Sequence, residues 1–252
     1  MAATTEVATA DLLDLSSLES AFEGVESLVY LVHALDGDDF AESDRRSALN
    51  AVAAATEAGV GRIVYLGGLG RGQLSPHLES RREVGRILRD SGIPTIELRA
   101  SIILGEGSAS YELLKAVVEN VPAAAVPDWV NSPAQPLYID DVVAYLRAAL
   151  TIDLTESRVY EVGGPERLSY LDLMNLYAEQ HDLTRFFLPL PVPPGVGLWQ
   201  QALEAVAPDR AKVWLRLIES LRNETTVQDS SAGRDFPDVQ PRSVADALRA
   251  AA

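Results

Sequence analysis

His77 and Arg81 stand four positions apart in a segment with helical periodicity. Residues at this spacing lie on one face of a helix. The same face carries Val84, Gly85 and Leu88, so we expect it to face a sheet and an adjoining cleft. His77 could act there as a general acid or base near neutral pH, whereas Arg81 could donate hydrogen bonds but cannot titrate as a base. A histidine at the start of a helix is also often only a capping or surface residue, and this alternative stays open.

Other charged residues have a chemical and a structural interpretation. His33 directly follows an apolar segment, where it could line a binding site or be a partly buried histidine that hydrogen-bonds a loop. Asp140 and Asp141 resemble a paired-carboxylate site, but they begin an apolar helix, where carboxylates favour the helix dipole. We favour the structural interpretation for this pair. The helix of His77 also has a second stripe, expected to face water, which consists of Arg82, Arg86 and Arg89.

Two glycine-rich loops could bring the backbone close to a ligand. Residues 105–110 (GEGSAS) lie between an apolar strand and a helix in a G-x-G-x-x-S pattern. They could form a phosphate cradle or only a tight turn that lines a pocket. Residues 67–72 (GGLGRG) lack that spacing, and their glycines more simply permit close approach to a ligand or a neighbouring loop.

The composition excludes several classes of site and partner. The 252 residues include no cysteine and only three histidines, so we expect neither a disulfide framework nor a metal site. The net charge of −16, from 21 Lys and Arg against 37 Asp and Glu, argues against binding to nucleic acid or anionic lipid. Apolar runs are too short for stable membrane insertion. The N-terminus lacks the basic residues and apolar block of a signal peptide, which predicts a cytoplasmic location.

Strands and helices alternate through the first hundred residues. This order predicts an α/β protein with a Rossmann-like parallel sheet and helices on both faces. The continuous apolar run 27–32 is typical of a strand buried on both sides. The other predicted strands are 6–10, 62–66, 95–104 and 158–162. The predicted helices are 16–23, 42–58, 77–90, 111–120, 140–150, 169–181, 199–207, 211–222 and 243–251.

The first strand–helix junction carries no glycine, although a dinucleotide-binding fold places a glycine turn there, under the pyrophosphate. Its sequence over residues 10–16 is ADLLDLS. Residues 1–50 hold 11 acidic and 2 basic side chains, a net charge of −9. This charge would repel a pyrophosphate.

Six segments, taken as a set, resemble the extended and atypical branch of the short-chain dehydrogenase/reductase superfamily. Within that branch the chain looks most similar to NmrA-like proteins and to the nucleotide-binding accessory subunit of respiratory complex I. The segments are 10–12 (ADL), 30–33 (YLVH), 62–68 (RIVYLGG), 91–99 (SGIPTIELR), 137–142 (LYIDDV) and 159–165 (VYEVGGP).

The resemblance implies an oxidoreductase- or epimerase-like protein that binds NAD or NADP and acts on a small molecule. The cofactor contacts that it implies are Asp11 and Leu12 near the adenine, and Leu31, Val32, His33, Gly67, Gly68, Arg81 and Arg99 elsewhere. The family's catalytic Tyr-x-x-x-Lys pair falls on His77 and Arg81, which therefore take the predicted catalytic positions. Because these family residues are replaced, a non-catalytic nucleotide-sensing or assembly module is the alternative.

In the family's order, residues 6–10 correspond to the third strand, so the first two strands and their glycine loop are expected to be missing. The sheet would then be N-terminally truncated with a gap at its centre. The cofactor would bind weakly or not at all, and a second copy or a partner protein would cover the open sheet. We predict a partial NAD(P)-binding domain over residues 1–165, with a substrate-region insertion around 105–136. A smaller, mainly helical substrate or lid region is predicted over 166–252.

Overall fold

The protein is described by a computed structural model, which covers residues 5–35, 37–153, 155–191 and 207–251. Its central sheet has four parallel strands in the order β1-β2-β3-β8. The strands are β1 (Ser27–Tyr30), β2 (Arg62–Gly68), β3 (Thr95–Ala100), β4 (Ile103–Leu104), β5 (Ala123–Pro127), β6 (Pro133–Ala134), β7 (Leu137–Tyr138), β8 (Arg158–Val162), β9 (Leu168–Ser169) and β10 (Phe186–Leu190).

Helices cover both faces of the central sheet, as predicted. They are α1 (Leu15–Ala21), α2 (Phe40–Glu57), α3 (Pro76–Arg89), α4 (Ala109–Asn120), α5 (Ile139–Thr151), α6 (Tyr170–Gln180), α7 (Ala211–Ser220), α8 (Ser231–Asp235) and α9 (Val244–Ala250). Side chains of a strand alternate between faces. Ile63 and Tyr65 therefore pack under α2 and α3, while Val64 packs under α5. The structure thus confirms the α/β class.

The predicted strand over residues 6–10 is wrong. These residues are exposed and lie outside any strand, and α1 begins at Leu15 with Asp14 as its N-cap. A strand needs a neighbour for its backbone hydrogen bonds, and among the described residues β1 pairs with β2 alone. Each described strand of the central sheet is hydrogen-bonded to the next, so the predicted gap does not lie among these four strands. Within the described residues β1 forms one edge of the sheet. That a second copy or a partner protein covers this edge stays a prediction.

The second half of the chain forms three two-stranded sheets around a separate core. The pairs are β4 with β7, β5 with β10 and β6 with β9. The predicted strand 95–104 is divided after Ala100, because the chain then pairs with β7 instead of β8: β4 lies beside β7, and the carbonyl of Ile102 accepts a hydrogen bond from Leu137 N (2.8 Å). Phe236 packs on the central sheet, so residues after 165 contribute to its core, and the predicted division there stays a prediction. The predicted helix 199–207 lies largely outside the described residues.

Two negative findings apply to the part of the chain that the structure describes. None of its helices combines the length and the apolar character needed to cross a membrane. Its histidine, aspartate and glutamate side chains form no group of three that could hold a metal ion.

Candidate functional site

A cleft of about 580 Å³ opens at the carboxyl ends of β1, β2 and β3. Open parallel sheets bind their ligands at this end, and the volume lies within the roughly 300–1,000 Å³ typical of small-molecule sites. The start of α3, residues 100–103, residues 106–110 and the end of α7 complete its walls. The cleft brings together six of the predicted site residues, namely Leu31, His33, Gly67, Gly68, His77 and Arg81.

His77 lies in the first turn of α3, which begins after the N-cap Ser75. Its Nδ1 is 3.1 Å from Ser220 Oγ, and its ring meets the ring of His33 edge-on with centroids 6.3 Å apart. Burial, together with the positive charge of Arg81, lowers the pKa of His77 to about 3. The imidazole is therefore neutral at physiological pH. It can make hydrogen bonds there, but the general acid–base role expected from the sequence requires a pKa closer to neutrality.

Arg81 lies one turn further along α3 and is 7% exposed. Its guanidinium donates hydrogen bonds to the carbonyls of Leu66 and Val32, the latter over 3.4 Å, and stacks over the Tyr65 ring at 4.9 Å. Arg81 thus joins the carboxyl ends of β1 and β2 at the wall of the cleft. These hydrogen bonds occupy N–H groups of Arg81 that would otherwise be free to bind the hydroxyl groups of a ribose.

The remaining predicted cofactor residues are not brought into the cleft. Asp11 is exposed and accepts a hydrogen bond from Leu13 N (2.9 Å), while Leu12 is held by Asn50, which donates to its carbonyl (2.8 Å). The structure does not place Arg99 at the cleft either, because its Nε is paired with Glu97 Oε1 at 2.7 Å.

Val32 also lies outside the cleft wall. Its side chain is 47% exposed, and it reaches the site only through the carbonyl that Arg81 contacts.

The glycine-rich segment 67–72 packs against α3. A Cβ on Gly68 would lie 2.8 Å from Leu78 Cδ2, and one on Gly70 would lie 2.7 Å from Leu78 Cδ1. These glycines therefore permit close approach to the following helix, one of the two uses expected from the sequence.

The segment 105–110 is a tight turn at the start of α4 that lines the cleft. Gly105 and Gly107 have φ angles of +154° and +79°, conformations that favour glycine. Ser108 Oγ donates to the carbonyl of Ile103 (2.7 Å), so its hydroxyl stabilises the turn. This geometry agrees with the pocket-lining alternative, and the phosphate cradle stays a hypothesis.

Asp140 and Asp141 have the structural role favoured from the sequence. Both lie in the first turn of α5. Asp141 is 7% exposed and accepts a hydrogen bond from Arg242 N (2.8 Å), while Asp140 pairs with the Arg242 side chain at 3.4 Å.

The C-terminal part supplies site residues that the sequence did not indicate. Ser220 Oγ contacts the His77 ring. Thr225 also lines the cleft, and its Oγ1 accepts a hydrogen bond from Ser101 Oγ (2.9 Å). The side chain of Asn223 accepts from Ser75 N (3.1 Å) and donates to two carbonyls of residues 71–73. These residues lie 124 to 152 positions from their partners, so no local spacing connects them. The sequence indicated only that residues 211–222 form a helix.

Comparisons with known proteins agree with this architecture. Residues 1–124 match the model of a family described as NAD(P)H-binding. No curated protein matches the sequence. Solved structures similar in fold include a nucleoside-diphosphate-sugar epimerase from Staphylococcus aureus, with a TM-score of 0.77 and 15% identity over 98% of this chain and 84% of that one.

Two reductases are also similar. The triphenylmethane reductase of Citrobacter sp., complexed with NADP(H), has a TM-score of 0.77 and 18% identity over 98% of this chain and 84% of its own. An NADPH-dependent quinone oxidoreductase from Escherichia coli has a TM-score of 0.72 and 19% identity over 96% and 82%. Residues 1–124 therefore match an NAD(P)H-binding family, and the fold of the chain is similar to the folds of the epimerase and the two reductases.

Proposed function

We propose that the chain is an NAD(P)H-dependent reductase of a small, uncharged and apolar acceptor. The observation that carries this proposal is the cleft at the carboxyl ends of β1, β2 and β3, most of whose wall lies within the residues that match the NAD(P)H-binding family. Its wall combines apolar side chains with a few hydroxyl, imidazole and charged groups, the pattern of a small-molecule site.

The cleft fits the nicotinamide end of the cofactor better than the pyrophosphate end. Its described wall begins at Leu31, and residues 5–30 contribute nothing to it. Apolar surface from Leu31 and Leu66, with the backbone of Gly67 and Gly68, would hold the nicotinamide and its ribose. Since the described residues before β1 place no glycine turn at this wall, we expect weak binding of NAD or NADP by this chain. When bound, the cofactor supplies a hydride.

The electrostatics of His77 favour an acceptor that needs no acid from the protein. Oxidation of alcohols and epimerisation of sugars need a group that moves a proton at the substrate oxygen. With its pKa lowered to about 3, His77 is poorly suited to that task. An electrophilic acceptor such as a quinone can take up a hydride and then a proton from water. His77 and Ser220 would then orient the acceptor by hydrogen bonds.

The charges along the cleft favour an uncharged acceptor over a sugar nucleotide. A diphosphate would call for cationic side chains. The described wall of the cleft contains one arginine, Arg81, and no lysine. The guanidinium of Arg81 is already hydrogen-bonded to the carbonyls of Leu66 and Val32. Two of the similar proteins are by their names a triphenylmethane reductase and a quinone oxidoreductase, which supports the same reaction class.

A turnover assay tests this proposal. The purified chain is mixed with millimolar NADH or NADPH and a simple quinone such as menadione, and the loss of reduced cofactor is followed by absorbance. We expect loss above the protein-free rate. Ala109→Trp, which fills the cleft wall, should abolish it, whereas Ala41→Trp on the exposed face of α2 should not.

The second candidate is a nucleotide-sensing or assembly module without catalysis. The observation that favours it is the neutral His77 next to an Arg81 already hydrogen-bonded to the backbone. Calorimetric titration separates the two candidates. Binding of NADPH without turnover of quinones or dyes would support the sensor and contradict the reductase. Absence of binding at millimolar cofactor would contradict both.

A further inference from the structure

Four arginines gather on the α3 side of the sheet, along the margin between β3 and β8. We call Arg71, Arg82, Arg89 and Arg99 the arginine cluster. Arg82 and Arg89 lie on α3, on the stripe that the sequence predicted to face water, while Arg99 lies on β3. Arg71 follows β2, within the glycine-rich segment 67–72 that lines the cleft with its first residues.

Two carboxylates lie within the arginine cluster, and each already has several hydrogen-bond or ion-pair partners. Glu97 is 1% exposed and is shared between Arg99 (2.7 Å) and Arg89. Glu161, whose Cα is paired with that of Arg99 across the sheet, binds Arg71 at 2.5 Å. The same Oε2 atom of Glu161 also accepts from the backbone of residues 228 and 229, over 2.8 and 3.2 Å.

Arg82 is left without a carboxylate partner. Its hydrogen bond within the described residues goes to the carbonyl of Gly70 (2.8 Å), and its Nε is buried without an acceptor. The nearby acid Asp90 is engaged with the exposed Arg86, at 3.4 Å. Four guanidinium groups thus face two saturated carboxylates, which leaves two positive charges in a chain whose net charge is −16.

Burial, and then the neighbouring positive charges, disfavour the charged form of two arginines in the cluster. Burial and the positive charges of Arg99 and Arg71 lower the pKa of Arg82, and burial with Arg99 lowers the pKa of Arg89. The site is open to solvent, because the side chains of Arg71 and Arg89 are 27% and 22% exposed. An anion could therefore reach the cluster from solution.

We propose that the arginine cluster binds a doubly charged oxyanion, a phosphate or a small dicarboxylate. Guanidinium groups match both, because they donate paired hydrogen bonds to two oxygens. Two negative charges would balance the excess at the cluster. Because Arg71 and the Gly70 carbonyl belong to segment 67–72, a bound anion would stabilise that segment, and so the wall of the cleft.

Thermal unfolding and calorimetry on the 252-residue chain test the proposal. Inorganic phosphate, malonate and sodium chloride are compared at equal ionic strength, and the first two distinguish a phosphate from a dicarboxylate. We expect a saturable rise in Tm and a saturable heat with phosphate or malonate, beyond the effect of chloride. Arg82→Gln should weaken that binding about tenfold, the loss of one charge-assisted hydrogen bond.

Arg86→Gln is the matched control, because Arg86 lies on the same helix stripe but is 61% exposed and paired with Asp90. Its affinity for the anion should change less than about twofold, as is usual for an exposed ion pair. Equal effects of phosphate, malonate and chloride on the unmodified chain would overturn the proposal. Unchanged affinity in Arg82→Gln would also overturn it. Should that variant fail to fold, saturable heat with the unmodified chain decides.

Discussion

Replacement of Arg81 by methionine tests whether this residue holds the sheet together at the cleft. Methionine keeps most of the aliphatic packing along α3 but removes the guanidinium. That group joins the carbonyls of Leu66 and Val32 and covers the Tyr65 ring. The substitution therefore separates hydrogen bonding from packing.

The expected loss follows from these contacts. A hydrogen bond from a charged group contributes about 1.5–3 kcal/mol, and the 3.4 Å bond to Val32 lies at the weak end. The contact with the Tyr65 ring adds about 0.5–2 kcal/mol. Removal of a buried charge returns part of its desolvation cost. We therefore expect Arg81→Met to lower the free energy of unfolding by about 2–4 kcal/mol.

Urea denaturation measures this change, since an uncharged denaturant leaves the electrostatics unscreened. Arg86→Met is the control, and its exposed ion pair with Asp90 predicts a loss of only about 0–1 kcal/mol. Losses for the two variants within about 0.5 kcal/mol of each other, the usual margin for independent surface changes, would refute the assignment of Arg81 as the link between β1 and β2.

Three further predictions address other parts of the molecule. Replacement of glycine by alanine usually stabilises a helix. Gly85→Ala should instead lower the free energy of unfolding by about 1–3 kcal/mol, because the added Cβ would lie 2.5 Å from the buried Glu97 Oε2. Thermal unfolding measures this change, and a rise in Tm would contradict the described packing. His77 should stay neutral at about pH 5 in an NMR titration. Folding lowers the pKa of His77 from 6.5 to about 3. Between these pH values the folded chain therefore binds fewer protons than the unfolded chain. The free energy of unfolding should then decrease as the pH falls below 6.5. Protonation of His77 at or above pH 5 would show that burial is less than described. Asn223→Ala should lower the free energy of unfolding by about 2–4 kcal/mol in urea denaturation, since three backbone groups lose their hydrogen-bond partner. Asn131 is exposed and its side chain makes one hydrogen bond, so Asn131→Ala should cost under about 1 kcal/mol. Equal losses for the two variants would contradict the role of Asn223.

The central sheet was predictable because its strands are rich in apolar, β-branched and aromatic residues, even though β3 and β8 each carry two charged side chains. The predicted strand 158–162 agrees with β8 at both ends, and 27–32 differs from β1 only at its carboxyl end. That composition is typical of strands in a parallel sheet covered by helices. Residues 6–10 have the composition of a short strand, but a strand forms only where a neighbour supplies hydrogen bonds, which composition does not report.

Part of the candidate site was predictable: the resemblance implied Leu31, His33, Gly67 and Gly68, and a single helix carries the other two residues. His77 and Arg81 share a helix face, so their spacing predicted their common position at the cleft. The identity of the groups they contact was not predictable. Arg81 binds carbonyls of neighbouring strands, and Ser220 comes from a helix 143 residues away from His77. Pairings over such distances leave no periodic signal in the sequence.

The contacts of α7 imply an order of events in folding. Arg216 donates to the carbonyls of Leu35 and Gly37, 181 and 179 residues earlier in the chain, and Asn223 holds residues before α3. Contacts across such separations carry a large entropy cost of loop closure and form late. During synthesis, strands β1 to β3 leave the ribosome well before α7 does. We therefore expect the sheet to form first and the cleft to assemble only when nearly the whole chain has been made.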